Sequence, residues 1–398
     1  VLRMTELTTL PQGISDTEIT NVRLVGNVQS RGEITVFFQL KDRGLEGLYH
    51  VVVALITAFT GEGTIGYRIL SVWVSLLSIA IVYTLARHLF NPIVALLAMG
   101  LLAINMDSIL LARNISSNAM TIFFISATML ALARSLPIYR TTRVVTANTI
   151  SFAALGALWG ISFYVHPSSL FIVLGSMVYI VYLLFVRQAM SRRRRSYTGF
   201  AILVMLIIAM PYLISSLRLP EYAASQRLLA DYSNGIVGSM WNGLKGIALT
   251  GDLNPLHNLP GRPLVDAFSA VFMLVGFAAC VYKWREPRFM LLVVMVIFTL
   301  PAATIVENSP NFLHYGVILP QLAIFFALGV YTFLRQPVFK DDVFRWMAII
   351  GVALLFVFNL FWTWQDVFIN WRNDPDVIEV VNGKLGQIAH HLDKTGGD

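Results

Sequence analysis

The sequence predicts an all-α polytopic membrane protein, and three observations carry that prediction. Of its 398 residues, 57% are hydrophobic and 13% are charged, against roughly 45–50% and about 25% in soluble globular domains. The mean hydropathy is +0.69. Apolar stretches of bilayer length recur from residue 65 to residue 364. A soluble enzyme and a disordered chain are both excluded on this composition.

The elements follow in order. A bilayer core needs about 20 mostly apolar residues per helix. Ten stretches meet that need: 65–86, 91–107, 117–134, 148–164, 168–186, 198–217, 264–282, 289–306, 313–334 and 346–364. The apolar run 48–61 is shorter and reads as a helix lying at the membrane surface, or as a re-entrant piece. Between them lie a first loop region (1–64), helices (65–217), a long loop (218–263), helices (264–364) and a terminal segment (365–398). Near the start, Pro11 and Gly13 mark a turn. Ser15 is then a candidate N-cap for a short helix from Ile19 to Val25, with Gly26 as its stop.

Basic residues orient the spans. With residues 1–64 on one side, the opposite side collects Arg87, Arg134, Arg140, Arg143, Arg187, Arg192 to Arg195, Lys283, Arg285, Arg288, Arg335, Lys340 and Arg345. These are 15 of the 29 basic residues, whereas the short loops of the first side hold Arg113. The positive-inside rule makes the first side the outer one, so the protein is expected in the plasma membrane with its large loops outside. The run Arg192–Arg195 is thereby a topology anchor, and nucleic acid is a poor partner. The acids are complementary: 19 of 22 lie on the outer side. Chemistry is expected there. No phosphate loop of the G-x-x-x-x-G-K-[ST] type exists, which argues against an ATP-driven pump. The spans hold almost no ionisable groups and no internal repeat, which argues against a secondary transporter. Cys280 is the lone cysteine, so neither a disulfide framework nor a cysteine metal site exists.

Several outer residues carry chemical potential. Asp16 and Glu18 open the first helix. They read either as acids favoured by the helix dipole, or as a general base or metal-binding acid facing a cavity. Asp42, Arg43 and Glu46 precede the apolar run, and spacing alone leaves Glu46 as interface charge or as a neighbour of Asp16. Arg113 runs against the charge bias; it either snorkels to lipid headgroups or holds a phosphate. His166, His257 with Asn258, and His314 with Tyr315 all fall on the outer side. Histidine donates to phosphate oxygens and binds metals.

Several segments together resemble one family, the GT-C membrane glycosyltransferases of the protein O-mannosyltransferase and aminoarabinose-transferase type, including bacterial glycosyltransferase family 39. The likeness runs through Leu2-Arg3, Leu7, Leu10-Pro11, Gly13 and Asp16, then Val36 to Phe38 and Gly44 to Tyr49. It continues through Tyr67 to Ser71, Tyr83 to Arg87, Gly251 to Pro255 and His257 to Gly261. Ser309 to Leu313, Gly316 to Pro320, Trp371, Pro375 to Val377 and Ile388 to Leu392 complete it. The resemblance implies a GT-C-like helix bundle with a large first outer loop carrying surface helices. It also implies a transmembrane helix before Val1 and more outer domain after Asp398, so that the chain reads as trimmed from a longer one.

The resemblance further implies a polyprenyl-phosphate sugar as donor, used at the outer face on an acceptor hydroxyl of a protein or glycolipid. It casts Asp16 as the base and Glu46 as a supporting acid, with Glu18 the second acid of a split pair; a divalent metal is an open question. By chemistry, Arg113, His257, Asn258, His314 and Tyr315 are the phosphate-side candidates. The chain departs from the family pattern where Thr17 separates Asp16 from Glu18. It departs again where Ser116, Ser117, Asn118, Ser168 and Ser169 stand in place of charge, and where His314 stands in place of an arginine. The second expectation is therefore a GT-C-like protein that has lost catalysis and serves as a structural subunit of a larger membrane complex.

Overall fold

The computed structural model describes residues 1–39, 44–138, 148–219, 235–306, 308–386 and 388. Asp42, Arg43, Arg140 and Arg143 lie outside the described residues, as does much of the loop 218–263 and the end of the terminal segment.

Among the described residues the chain is all-α apart from a two-stranded antiparallel ribbon, and it is a multi-pass membrane protein. Helix α1 (Asp16–Arg31) begins as the sequence predicts. Ser15 is its N-cap, and Ser15 and Glu18 form a reciprocal capping box. Its stop differs: the helix runs through Gly26 and ends at Gly32, which takes the left-handed conformation at φ 64°. A glycine inside a helix costs only about 1 kcal/mol, whereas a left-handed C-cap favours glycine specifically.

Strands β1 (Phe37–Gln39) and β2 (Gly44–Glu46) pair with Phe37 opposite Glu46. Helix α2 (Leu48–Thr60) follows. Thirteen residues rise about 20 Å, short of a hydrocarbon core of about 30 Å. It packs on α1 and on α3 (Thr64–Leu89).

The helical bundle follows. It comprises α3, α4 (Pro92–Ile104), α5 (Met106–Arg113), α6 (Asn118–Ser135), α7 (Thr149–Ser162), α8 (Ser169–Val181, extended by a π turn Tyr182–Val186), α9 (Arg192–Arg218) and α10 (Gly235–Ala248). It continues with α11 (Ala267–Tyr282), α12 (Pro287–Thr304), a 3₁₀ turn Phe312–Val317, α13 (Leu319–Leu334) and α14 (Asp342–Gln365), which leads through a π turn Asp366–Asn370 to α15 (Pro375–Val380). Among the described residues six helices are long and apolar enough to cross a membrane, and α4 with α5 makes a seventh if that bent pair is one span. The predicted ten is thus not reached by length. Three predicted spans, at α7, α11 and α13, appear as apolar helices of 14 to 16 residues.

Small residues let the helices meet closely. A side chain at Gly276 on α11 would lie 1.8 Å from the Phe325 carbonyl oxygen of α13, and one at Gly329 would lie 1.9 Å from that of Phe272. This is close packing of the kind that drives helix association in lipid. Helices α9 and α14 are the opposite case, with 17% and 11% of their spanning windows buried. Their apolar surfaces face outward, as lipid contact requires.

The bend between α4 and α5 positions the site. Asn105 ends α4 and caps α5: its Oδ1 accepts from the Ser108 amide at 3.1 Å, and its Nδ2 donates to the Leu264 carbonyl at 3.0 Å. The chain turns by 58° there. That turn carries Asp107 and Arg113 to the end of the bundle where residues 1–16, 250–262, 308–316 and 366–386 converge.

Candidate active site

Three buried arginines fix the first thirteen residues. Arg3 donates to Ser75 Oγ, Ser108 Oγ and the Leu102 and Ala103 carbonyls at 2.7–3.1 Å. It thereby caps the C-terminal end of α4, where a cation is favoured. Arg68 donates to the carbonyls of Leu7 and Gly13 at 3.0 and 3.1 Å. Arg113 is fully buried and makes five hydrogen bonds to four carbonyls, those of Leu2, Thr5, Glu6 and Leu10.

The expectation that Arg113 holds a phosphate or reaches lipid headgroups is therefore corrected. Its guanidinium satisfies coiled backbone that has no helix or strand to pair with. Arg3 and Arg68 escaped the sequence reading as site residues. The available signal was the one noted for Arg113, a cation on the acid-rich side of the membrane.

This frame sets the two acids apart. Glu18 is buried, and both of its oxygens are engaged: Oε2 accepts from the Ser15 amide at 3.1 Å, and Oε1 accepts from the Ile115 amide at 2.9 Å. Oε1 also lies 4.0 Å from Arg68 Nη2. Glu18 ties α1 to α3 and to the α5–α6 turn. Asp16, two residues earlier, is exposed at the first position of α1. Its Oδ1 accepts one hydrogen bond, from Asn382 Nδ2 at 3.2 Å. At about 100° of rotation per helical residue, the two acids point to different sides of α1.

Glu46 is buried at the end of β2. Its carbonyl meets His50 Nδ1 at 3.2 Å, while His50 Nε2 lies 3.0 Å from Asn21 Oδ1. Asn21 in turn donates to the Ile115 carbonyl at 2.7 Å, so α1, α2 and the α5–α6 turn share one polar network.

The second half of the site is the loop 250–262 against the 3₁₀ turn. Asp252 accepts from the amides of Asn254 and Phe312 at 2.8 and 2.7 Å. Burial pushes its carboxyl up, and those two amides oppose the shift. Asn258, predicted on the phosphate side, donates instead to the carbonyls of Asp252 and Arg262 at 3.0 and 2.7 Å, closing the loop on itself. Tyr315 is likewise structural: its hydroxyl donates to the Gly243 carbonyl at 2.6 Å. Arg262 pairs with Asp366 at 2.5 Å and lies 4.3 Å over the Trp362 ring. The Trp371 indole donates to the Pro255 carbonyl at 2.8 Å.

The three histidines do come together. The rings of His166 and His314 are 5.7 Å apart, and His314 is an electrostatic neighbour of His257. His257 is buried, and its Nδ1 has no hydrogen-bond partner among the described residues. Asp107, which the sequence reading passed over at the end of an apolar span, is buried nearby with neither carboxyl oxygen bonded among the described residues. It is an electrostatic neighbour of Asp252. Its signal in the sequence was an acid two residues after a polar cap, Asn105.

Burial, then the charge of His314, lowers His257 from 6.5 to about 3. The sign follows from linkage. The unfolded chain takes up a proton near pH 6.5, and the native site refuses it until about pH 3. This contribution is present above pH 6.5 and is lost as the pH falls between those values. Lowering the pH from 7 to 5 removes about 2 kcal/mol through this group. Thermal unfolding of wild type and His257→Gln at the two pH values checks this: the variant loses less stability than wild type over that interval. Equal losses contradict it.

Among the described residues, no group of three His, Cys, Asp or Glu side chains is placed to hold a metal ion. No metal-dependent step is assigned to this site.

A family model described as dolichyl-phosphate-mannose-protein mannosyltransferase matches residues 48–214. No curated protein matches the chain by sequence. Among solved structures, ArnT from Cupriavidus metallidurans bound to undecaprenyl phosphate superposes with a TM-score of 0.63 at 14% identity, covering 89% of this chain and 61% of that one. Its apo form gives 0.61 at 14% identity, with 86% and 59% coverage. An Archaeoglobus fulgidus oligosaccharyltransferase tethered to an acceptor peptide gives 0.55 at 12% identity, with 93% and 51% coverage. The chain thus spans about half to three fifths of the length of these proteins. The structural matches give this chain the membrane fold of these proteins, and residues 48–214 are similar to the mannosyltransferase family model.

Proposed function

We propose that the chain is a membrane glycosyltransferase that moves a hexose or pentose from a polyprenyl-phosphate donor to an acceptor hydroxyl at the outer face of the plasma membrane. The observation that carries this reading is an exposed carboxylate, Asp16, mounted on a rigid buried frame at the end of a GT-C bundle. That rigidity is what a general base needs, because a misplaced base loses most of its effect. The undecaprenyl phosphate bound by ArnT supports a lipid-phosphate donor, and the peptide bound by the oligosaccharyltransferase supports a macromolecular acceptor.

In this mechanism Asp16 takes the proton of the acceptor hydroxyl as its oxygen attacks the anomeric carbon. The bond from that carbon to the phosphate oxygen breaks, and its electron pair leaves on polyprenyl phosphate. The carbon inverts. His257 and His314 donate hydrogen bonds to the leaving phosphate, and Glu46 supports the acceptor side. The apolar outer faces of the spans sheathe the polyprenyl chain. The basic loops lie in the cytoplasm.

One observation favours a second reading, a structural subunit of a membrane complex: Glu18, Arg113, Asn258 and Tyr315 are all engaged in holding the fold. The test uses full-length protein in lipid, offered polyprenyl-phosphate sugars and, separately, nucleotide sugars. Transfer from a lipid-linked donor and none from nucleotide sugars is expected. Absence of transfer from every lipid-linked donor, with a stable partner complex co-purifying, supports the subunit instead.

A further inference from the structure

The far end of the chain folds back over Asp16. Segment 371–386 is held against residues 6–16 by polar and apolar contacts. Arg372 pairs with Glu6 at 2.5 Å, and Gln12 Nε2 donates to the Arg372 carbonyl at 3.0 Å. Leu10, Trp371, Val377 and Val381 share one apolar cluster. The backbones touch: a side chain at Gly13 would meet the Val381 carbonyl oxygen at 2.1 Å, and one at Gly386 would meet that of Gln12 at 2.2 Å.

At the centre of this seam stands Asn382, in the left-handed region at φ 53°. Its Nδ2 donates to the Ile14 carbonyl at 3.1 Å and to Asp16 Oδ1 at 3.2 Å. Both partners are acceptors, so only the amide nitrogen satisfies them, and the side-chain orientation is fixed by chemistry. One amide group thus ties the backbone entering α1 to the carboxylate at its first position. The contact bridges 366 residues of sequence.

We infer that Asn382 is a positioning residue for sugar transfer: by holding Asp16 Oδ1 it turns the other carboxylate oxygen toward the acceptor hydroxyl, and segment 371–386 forms the wall beside that acceptor. The inference rests on the reading of Asp16 as base. A carboxylate at the start of a helix otherwise rotates among its side-chain conformers, and each unproductive conformer lowers the rate.

The test compares wild type, Asn382→Gly, Asn382→Asp and Asp16→Asn as full-length proteins in lipid, with polyprenyl-phosphate sugar as donor. Glycine accepts the left-handed backbone, so the Asn382→Gly variant keeps the fold and loses only the amide. Its kcat is expected to fall roughly tenfold, as loss of one charge-assisted hydrogen bond implies. KM for the donor stays unchanged. Asn382→Asp, of the same size but with a second negative charge, falls further. A wild-type kcat in Asn382→Gly overturns the inference. The Asp16→Asn arm separates the two ideas. Transfer that survives Asp16→Asn refutes the base assignment and the positioning role with it. Transfer lost in Asp16→Asn but untouched in Asn382→Gly refutes the positioning role alone.

Discussion

Asp16→Asn lowers the rate of sugar transfer by about 10²–10⁴-fold, the usual contribution of general base catalysis, and moves the thermal midpoint by only a few degrees. The two halves of this expectation have separate causes. The rate falls because an amide cannot take the acceptor proton, although it keeps the shape of the carboxylate. The fold survives because Asp16 is exposed and takes one hydrogen bond, from Asn382. The variant loses a favourable charge at a helix N-terminus, about 0.3–1 kcal/mol. Initial rates with a polyprenyl-phosphate sugar, paired with thermal unfolding of the same preparation, read both quantities. Transfer within a factor of ten of wild type removes Asp16 from the reaction. A collapse of the thermal midpoint shows that the residue carries structure instead. Glu18 is the internal contrast: with both oxygens on backbone amides, it belongs to the frame that holds Asp16.

Much of this architecture is legible in sequence because its causes are local or periodic. Ser15 and Glu18 are three residues apart, so their capping box is readable without a fold, and the structure contains it. Apolar length locates the helices, and three of the ten predicted spans appear as apolar helices of 14 to 16 residues. Polar caps such as Asn105 break a run that composition reads as continuous. Nothing in the sequence pairs the histidines, and the structure sets the His166 and His314 rings 5.7 Å apart with His257 an electrostatic neighbour of His314.

The fate of Arg113, Asn258 and Tyr315 is not legible, because a donor facing a phosphate and a donor facing a coiled carbonyl have the same sequence. Only the path of residues 1–10 and 250–262 decides between them. Asn382 is invisible for a related reason: its partner Asp16 is remote in the chain, and the left-handed turn that aims its amide has no periodic signature. Asp107 shows the limit of counting ionisable groups per span. One acid at a span's end looks like interface charge until the bend after Asn105 buries it.

Arg113→Ala unfolds the loop-rich end of the protein and destabilises the chain by about 3–5 kcal/mol, the range for removing one partner of a buried charged network. The guanidinium is fully buried, and it donates to the carbonyls of Leu2, Thr5, Glu6 and Leu10, of which that of Glu6 also accepts the Thr9 and Leu10 amides. Each buried acceptor left without a donor costs about 1–3 kcal/mol, less what water or a shifted backbone restores. Loss of the Arg113 contact with the Phe368 ring, at 5.6 Å, loosens the terminal segment as well. Arg113→Lys repairs little of this. A lysine offers three donors from one point, and it cannot match the spread of a planar fork that reaches Leu2 on one nitrogen and Thr5, Glu6 and Leu10 on the others. The measurement is thermal unfolding in lipid, with limited proteolysis reporting cleavage within residues 1–13. If Arg113 instead served a bound phosphate, Arg113→Lys would keep its stability and raise KM for the lipid donor. A stable Arg113→Lys protein with weakened donor binding therefore reverses the assignment. Loss of the thermal midpoint in both variants confirms that this cation is part of the frame on which Asp16 is carried.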